Sequence, residues 1–292
     1  MSTAFTTLIS ADQLRTLLDS GDPVVVLDTS FDLADTAEGE RSWREGHVAG
    51  SLYMHLERDL SGPKTDFNGV FRGRHPLPER HVFAQTLGRC GVTSGTQVIA
   101  LDRQGGMFAA RLWWMLRWMG HPMVAVLDGG VAAWTSAGDA LVTTPAPTAA
   151  ATATAPPYPE VAPCVQTIDA NALASRLGRI TVLDARAPER FRGDVEPLDR
   201  AAGHIPGALN RFFKLNLDVD GHFKPVAQLR DDFTSLLGLR APEELVHQCG
   251  SGVTACHNLL AMEHAGLTGS VLYPGSWSEW SADPARPVAQ GG

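Results

Sequence analysis

The chain repeats itself, and this repetition limits its fold more than any other feature. The first half carries VVVLDTS (24–30), REGHVAGS (44–51), QVIALDRQGG (97–106) and AVLDGGVAAW (125–134). The second half carries TVLDAR (181–186), AAGHIPGA (201–208), ELVHQCGSG (244–252) and SVLYPGSWSEW (270–280). One shared landmark could arise by chance, but four in the same order point to a duplicated domain. The 292 residues suit two domains, which usually run about 100–200 residues each. Each half is long enough to bury its own core. Between them lies TTPAPTAAATATAPPYPEVAP (143–163), rich in Pro, Ala and Thr and nearly uncharged, which reads as an extended, stiff linker. The expected division is therefore 1–142, a linker over 143–163, and 164–292.

Within each half, short β-branched runs such as VVVLD and TVLDA read as buried strands, because they are apolar without alternation. AARLWWMLRWMG (109–120) and ACHNLLAMEHAG (255–266) occupy matching places and have the length of helices, with Gly266 expected as a carboxyl-terminal cap. Strands alternating with helices imply α/β domains, each with a mainly parallel sheet flanked by helices.

Composition narrows the function classes. Hydrophobic residues make up 44% and charged residues 19%, as in an ordinary soluble globular protein. The net charge of −8 argues against nucleic acid or an anionic membrane as partner. The longest apolar stretches, such as 24–27, are far too short to span a bilayer. The start, MSTAFTTLIS, lacks the basic and apolar regions of a signal peptide. Four cysteines in a chain of this length do not make a disulfide framework, and none forms a C-x-x-C pair, so no zinc site is expected. A reducing, cytoplasmic-type compartment follows, in which a free thiol can work.

Cys249 is the cysteine with chemistry around it. It stands between a short strand ending at Gln248 and a helix starting at Ala255, at the head of Cys249-Gly250-Ser251-Gly252-Val253-Thr254. A Gly-rich turn between a strand end and a helix start turns several backbone N–H groups inward, and such a nest favours an anion. Here it favours the thiolate, the form that attacks and accepts a sulfur atom. Cys90, Cys164 and Cys256 read as inert packing cysteines. A cysteine phosphatase would need an arginine at the position of Ala255 to clamp phosphoryl oxygens, and the loop contains no basic residue.

C-G-S-G-V-T-A resembles the active-site loop of the 3-mercaptopyruvate sulfurtransferases. G-H-I-P-G-A and Y-x-G-S-W-S-E-W resemble further signatures of the rhodanese family. The likeness covers nearly the whole chain as two tandem rhodanese-like domains. It implies a sulfurtransferase that takes sulfur from 3-mercaptopyruvate, and less well from thiosulfate, onto Cys249 as a persulfide. The acceptor would be cyanide or a thiol such as thioredoxin or a small thiol. No metal and no organic cofactor are implied. Laying LDRQG over QCGSG puts Asp102 where Cys249 stands, so the first domain is expected to be non-catalytic.

The resemblance also implies roles for single residues. Arg190, in DARAPERFRG, would grip the substrate carboxylate. Arg200, in Glu196-Pro197-Leu198-Asp199-Arg200, would substitute for a second family arginine. Gly250, Gly252, Val253 and Thr254 would present the substrate-binding loop backbone. Ser251 would work with His75, of RGRHPLP, and with an acid, Glu57, with Asp59 as its rival. His47 and His204, in the two GHxxG turns, are expected to be structural, because the motif occurs in both halves while the nucleophile does not. Trp277 and Trp280 are expected to pack rather than touch substrate. Because Gly250 and Ser251 are neutral, the loop itself lacks the cations that a loop serving thiosulfate would use, which is expected to favour mercaptopyruvate. Two rivals from other classes are a non-enzymatic persulfide carrier and an inactive regulatory scaffold.

Overall fold

The computed structural model describes residues 4–143 and 155–292, so part of the expected linker, 144–154, lies outside the described residues. The chain forms two compact units. One comprises Met1–Ser61, Pro78–Cys164 and Val219–Phe223; the other comprises Gly62–Leu77, Val165–Asp218 and Lys224–Gly292.

The first unit contains a five-stranded parallel sheet of β1 (Leu8–Ile9), β2 (Val24–Asp28), β3 (Leu52–Tyr53), β4 (Gln97–Leu101) and β5 (Val124–Leu127), in the order β1-β5-β4-β2-β3. The second repeats this with β6 (Gln166–Thr167), β7 (Thr181–Asp184), β8 (Leu209–Asn210), β9 (Leu245–Gln248) and β10 (Val271–Leu272), in the order β6-β10-β9-β7-β8. The duplication read from the sequence is thus a duplication of topology. Every residue of β4 and of β9 is buried, as central parallel strands covered on both faces require.

In the second unit, the connection after β7 runs to β8 on one side, while the connection after β9 runs to β10 on the other. The strand order therefore reverses between β7 and β9. In open α/β sheets, the crevice beyond the carboxyl ends of the strands at such a reversal is where ligands bind. Cys249 directly follows β9, at that point.

Helix ends follow the sequence signals. Helices α5 (Ala109–Trp118) and α10 (Ala255–His264) both run into a left-handed glycine, Gly120 at φ 81° and Gly266 at φ 76°. Behind each, the next N–H reaches back five residues: His121 to the carbonyl of Leu116 and Leu267 to that of Met262, both closing a Schellman motif. The two GHxxG turns are alike as well. His47 Nδ1 bonds the Trp43 carbonyl at 2.8 Å and the ring stacks on Trp43; His204 does the same with Phe191 at 2.8 Å. Both histidines are buried and pin the turn to the preceding helix. Trp277 and Trp280 are fully buried, packed with Ile168, Leu173, Val182, Ile205 and Val246.

Two segments fold away from the half in which they stand by sequence. Residues 62–77 form a hairpin closed by Gly62 N–H to the Pro76 carbonyl, with Asp66 capping its tip through the N–H groups of Asn68 and Val70. The hairpin packs in the unit of Cys249: Arg74 N–H donates to Ser278 Oγ at 3.0 Å, and Gly73, at φ 102°, lies where a Cβ would fall 2.8 Å from the Gly275 carbonyl. Conversely, Val219–Phe223 packs in the first unit, where Phe223 N–H donates to Asp128. The compact units therefore depart from a division at 143–163 in these two stretches.

Candidate active site

Cys249 is 2% exposed, and its backbone is strapped to the segment after β10. Its N–H donates to Ser276 Oγ at 3.1 Å, and its carbonyl accepts Trp277 N–H at 2.9 Å. The Gly250 carbonyl accepts Ser278 N–H at 2.9 Å. Ser276 is buried and is the one non-glycine residue with positive φ, 53°, among the described residues. Such a conformation costs about 1–3 kcal/mol and persists only where the surroundings impose it. Here Ser276 Oγ is fixed at both ends, accepting from Cys249 and donating to the Tyr273 carbonyl. Gly252, at φ 76°, cannot be replaced, since a Cβ there would lie 2.3 Å from the Pro274 carbonyl.

Above the loop stand a histidine and two arginines. His75 is 2% exposed, and its Nδ1 lies 2.8 Å from Ser251 Oγ. A Cβ on Gly250 would fall 2.9 Å from Nη2 of Arg74 and 3.5 Å from Nη1 of Arg190. Both guanidinium groups therefore face Gly250, the residue after Cys249. They share Asp199, which gives one oxygen to Arg74 Nη1 and the other to Arg190 Nη2, the latter at 3.1 Å. Arg190, on α8 (Pro188–Arg192), is also held by Glu196 at 2.6 Å. Glu196 in turn accepts the N–H groups of Leu198 and Asp199, which fixes this turn.

The first unit shows what such a loop can hold. Asp102, fully buried, follows β4 as Cys249 follows β9. Its Oδ1 accepts the N–H groups of Gln104 and Gly106 at 2.8 and 2.9 Å, and its Oδ2 those of Phe108 and Ala109 at 2.8 and 2.9 Å. Four backbone donors thus converge on one carboxylate. This loop is one residue longer than that of Cys249, and its own side chain fills it.

A rhodanese-like domain model matches the chain over residues 10–137 and again over 169–283. The chain belongs to the rhodanese family of sulfurtransferases. It is 46% identical to a probable 3-mercaptopyruvate sulfurtransferase of Pseudomonas aeruginosa, over 97% of this chain and 98% of that protein. It is 39% identical to a putative thiosulfate sulfurtransferase of Mycobacterium tuberculosis, over 97% of each. Among solved structures, SseA from Escherichia coli, a 3-mercaptopyruvate sulfotransferase of rhodanese fold, superposes with a TM-score of 0.74 at 27% identity, over 94% of this chain and all of that one. A rhodanese acts on a sulfur donor and a sulfur acceptor, so both small-molecule classes are implied for this chain.

Of the residues singled out in the sequence, the structure brings together Cys249, Gly250, Ser251, Gly252, His75 and Arg190. Val253 and Thr254 complete the loop and their carbonyls accept the first helical N–H groups of α10. Arg200 does not join them: it is exposed and donates to the Ala282 carbonyl at 3.4 Å. The second arginine at Gly250 is Arg74, which comes from the hairpin 62–77. Glu57 and Asp59 lie on α3 (Leu56–Asp59) in the first unit, where Asp59 caps the His55 N–H and pairs with Arg58. The loop itself is neutral, but Arg74 and Arg190 supply two charges from other segments. Arg74, Asp199 and Ser276 escaped sequence reasoning; the only cue to Arg74 was its place beside His75 in RGRHPLP.

Burial pushes the Asp199 carboxyl above the ordinary carboxylate range, with Glu196 adding to the rise and Arg74 and Arg190 opposing it. Burial pushes the Cys90 thiol up to about 11, which disfavours its thiolate. Cys256, buried in α10, turns its thiol to the Gly252 carbonyl, and Cys164 is exposed; all four cysteines are free. Among the described residues no cluster of His, Cys, Asp and Glu is arranged to hold a metal ion, and no helix is long and apolar enough to cross a membrane.

Proposed function

We propose that this rhodanese takes sulfur from 3-mercaptopyruvate, and less well from thiosulfate, onto Cys249, and passes it to a thiol or to cyanide. The observation that carries the donor assignment is the His75–Ser251 hydrogen bond at the Cys249 loop, suited to a donor with a thiol proton, beside a guanidinium pair whose charge Asp199 partly offsets. A guanidinium binds a carboxylate through charge-assisted, often bidentate hydrogen bonds. Arg190, and with it the loop backbone at Gly250, Gly252, Val253 and Thr254, would receive the donor carboxylate and keto oxygen. The donor sulfur would then lie at Cys249.

In the first half-reaction the Cys249 thiolate attacks the sulfur of the donor. The S–S bond forms, the C–S bond breaks, and its electron pair stays on the methylene carbon as the enolate of pyruvate. The proton that leaves the donor thiol is passed by Ser251 and His75 and ends on that carbon. The products are a Cys249 persulfide and pyruvate. In the second half-reaction an acceptor thiolate or cyanide attacks the outer sulfur, and the Cys249 thiolate leaves. The persulfide anion is stabilised by the loop N–H groups and the start of α10, as the Asp102 carboxylate is in the sister loop. This is double displacement through a covalent intermediate.

The first domain, with Asp102 in place of the nucleophile, is non-catalytic in this reading. Four free cysteines suit a reducing, cytoplasmic compartment, and thioredoxin or a small thiol suits the acceptor step. The test compares kcat/KM for mercaptopyruvate and thiosulfate in the unmodified protein and in Cys249→Ser. The expected result is a preference for mercaptopyruvate of about tenfold or more, with both activities lost in Cys249→Ser. A preference for thiosulfate contradicts the donor assignment, and residual turnover in Cys249→Ser contradicts the nucleophile.

A further inference from the structure

Asp199 follows Glu196-Pro197-Leu198 in the turn after α8. It bridges the two arginines that face Gly250, one carboxylate oxygen to each. Its side chain is 4% exposed, and Glu196 beside it is 3% exposed. Arg74 and Arg190 are about one-fifth exposed, with their free edges toward the loop. The group therefore consists of two guanidinium cations and two carboxylates, mostly shielded from water, where charge differences count for more than at the surface.

The two carboxylates have different tasks. Glu196 is tied to Arg190, to Arg186 and to the N–H groups of its own turn, so it builds the turn. Asp199 spans the gap between the cations and cancels charge at the point where a donor anion would sit. We propose that Asp199 is a specificity-determining residue: by offsetting one of the two positive charges over Gly250, it tunes the site to a donor with a single negative charge and against a dianion such as thiosulfate. The proposal rests on the reading of mercaptopyruvate as the donor and adds the residue that sets the preference.

Donors differ in what they bring. Mercaptopyruvate carries one carboxylate. Thiosulfate carries two negative charges, and both remain on the departing sulfite, so they must be neutralised in the transition state. With Asp199 ionised between them, one of the two guanidinium charges is offset, and Glu196, which Arg190 shares with Arg186, offsets part of the other. Removing the Asp199 charge while keeping its shape should therefore favour the dianion, and removing a cation should do the reverse.

The experiment measures kcat/KM for both donors in the unmodified enzyme, in Asp199→Asn and in Arg74→Gln, at one pH and one ionic strength. The expected outcome is a thiosulfate-to-mercaptopyruvate ratio raised about tenfold or more in Asp199→Asn and lowered in Arg74→Gln. A purely structural Asp199 would reduce both donors in parallel, and an unmoved ratio in Asp199→Asn overturns the proposal. If Asp199→Asn does not fold, Arg74→Gln decides alone: a ratio that stays level or rises overturns it. Should the unmodified enzyme favour thiosulfate, the donor assignment fails, while opposite shifts in the two variants still support the role of Asp199. Absence of transfer from either donor would end both.

Discussion

The hydroxyl oxygen of Ser276 accepts the backbone N–H of Cys249 at 3.1 Å, from a residue held at φ 53°. The Cys249 peptide is thus anchored by a side chain in a conformation that serine rarely adopts. Two substitutions separate the hydroxyl from the strain. Ser276→Ala keeps the strained backbone and strands a buried N–H, so it should cost about 1–3 kcal/mol of stability. Ser276→Gly also loses the hydroxyl but relieves the strain, so it should be less destabilised in denaturant unfolding. Both should lose kcat/KM to a similar degree. A glycine variant with full activity would show that the hydroxyl does not position Cys249.

The His75–Ser251 pair, 2.8 Å apart, is expected to move a proton that only one donor carries. Mercaptopyruvate has a thiol proton to relocate; thiosulfate at neutral pH has none. Ser251→Ala and His75→Gln should each lower kcat/KM for mercaptopyruvate by about 10²-fold or more, the lower range for positioned acid–base groups. Thiosulfate turnover should fall much less. The double variant should be little worse than either single one, because the two groups act as a unit. Equal losses on both donors would make the pair a structural contact.

Asp102 offers a test of how strongly such a loop holds an anion. Asp102→Ala strands four N–H groups that now converge on the carboxylate, each worth about 1–3 kcal/mol if left unpaired and buried, so a loss of about 3 kcal/mol or more is expected. Asp102→Asn should not rescue it, because the amide nitrogen would face two donors. Denaturant unfolding measures the change. An unchanged midpoint in both variants would mean that the loop relaxes freely, and that the same geometry at Cys249 contributes little to anion binding.

Legibility in the sequence followed the range of each signal. The repeat, the Cys249 loop, the GHxxG turns and the helix-capping Gly266 are local patterns, and the fold reproduces them. His75 and Ser251 were paired through the family likeness although 176 positions separate them, and their side chains do meet. Arg74 and Asp199 were not legible, because each is an ordinary charged residue until the hairpin 62–77 and the turn 196–199 fold against the same loop. The sequence pointed to Arg200 instead, one residue past Asp199, whose side chain runs to the surface. Ser276 was hidden for another reason: nothing in a Gly-Ser-Trp run announces which residue takes the left-handed conformation, and glycine would be the ordinary guess.

His247, two residues before Cys249, makes stability depend on pH. It is fully buried in β9, and neither ring nitrogen has a hydrogen-bond partner. Burial pushes its pKa down to about 3 from an ordinary 6.5. Because the folded value lies below the unfolded one, the unfolded chain binds the proton more readily between them. The contribution to stability is whole above pH 6.5 and is lost as pH falls toward 3. Each pH unit in that window costs about 1.4 kcal/mol, so roughly 2 kcal/mol should go between pH 6.5 and pH 5. His247→Leu should flatten this part of the profile and leave the neutral-pH fold intact. A variant with the same acid slope as the parent would exclude His247 as its source.

The most direct test of the persulfide route is a single turnover followed by peptide-resolved mass spectrometry. The enzyme is mixed with one equivalent of mercaptopyruvate and no acceptor, the pyruvate released is counted, and the chain is digested under non-reducing conditions. The expected result is one pyruvate per chain and a mass gain of one sulfur atom confined to the peptide of Cys249, removed on adding a thiol acceptor. Pyruvate release without sulfur on Cys249, or sulfur carried instead by Cys90, Cys164 or Cys256, would contradict the account.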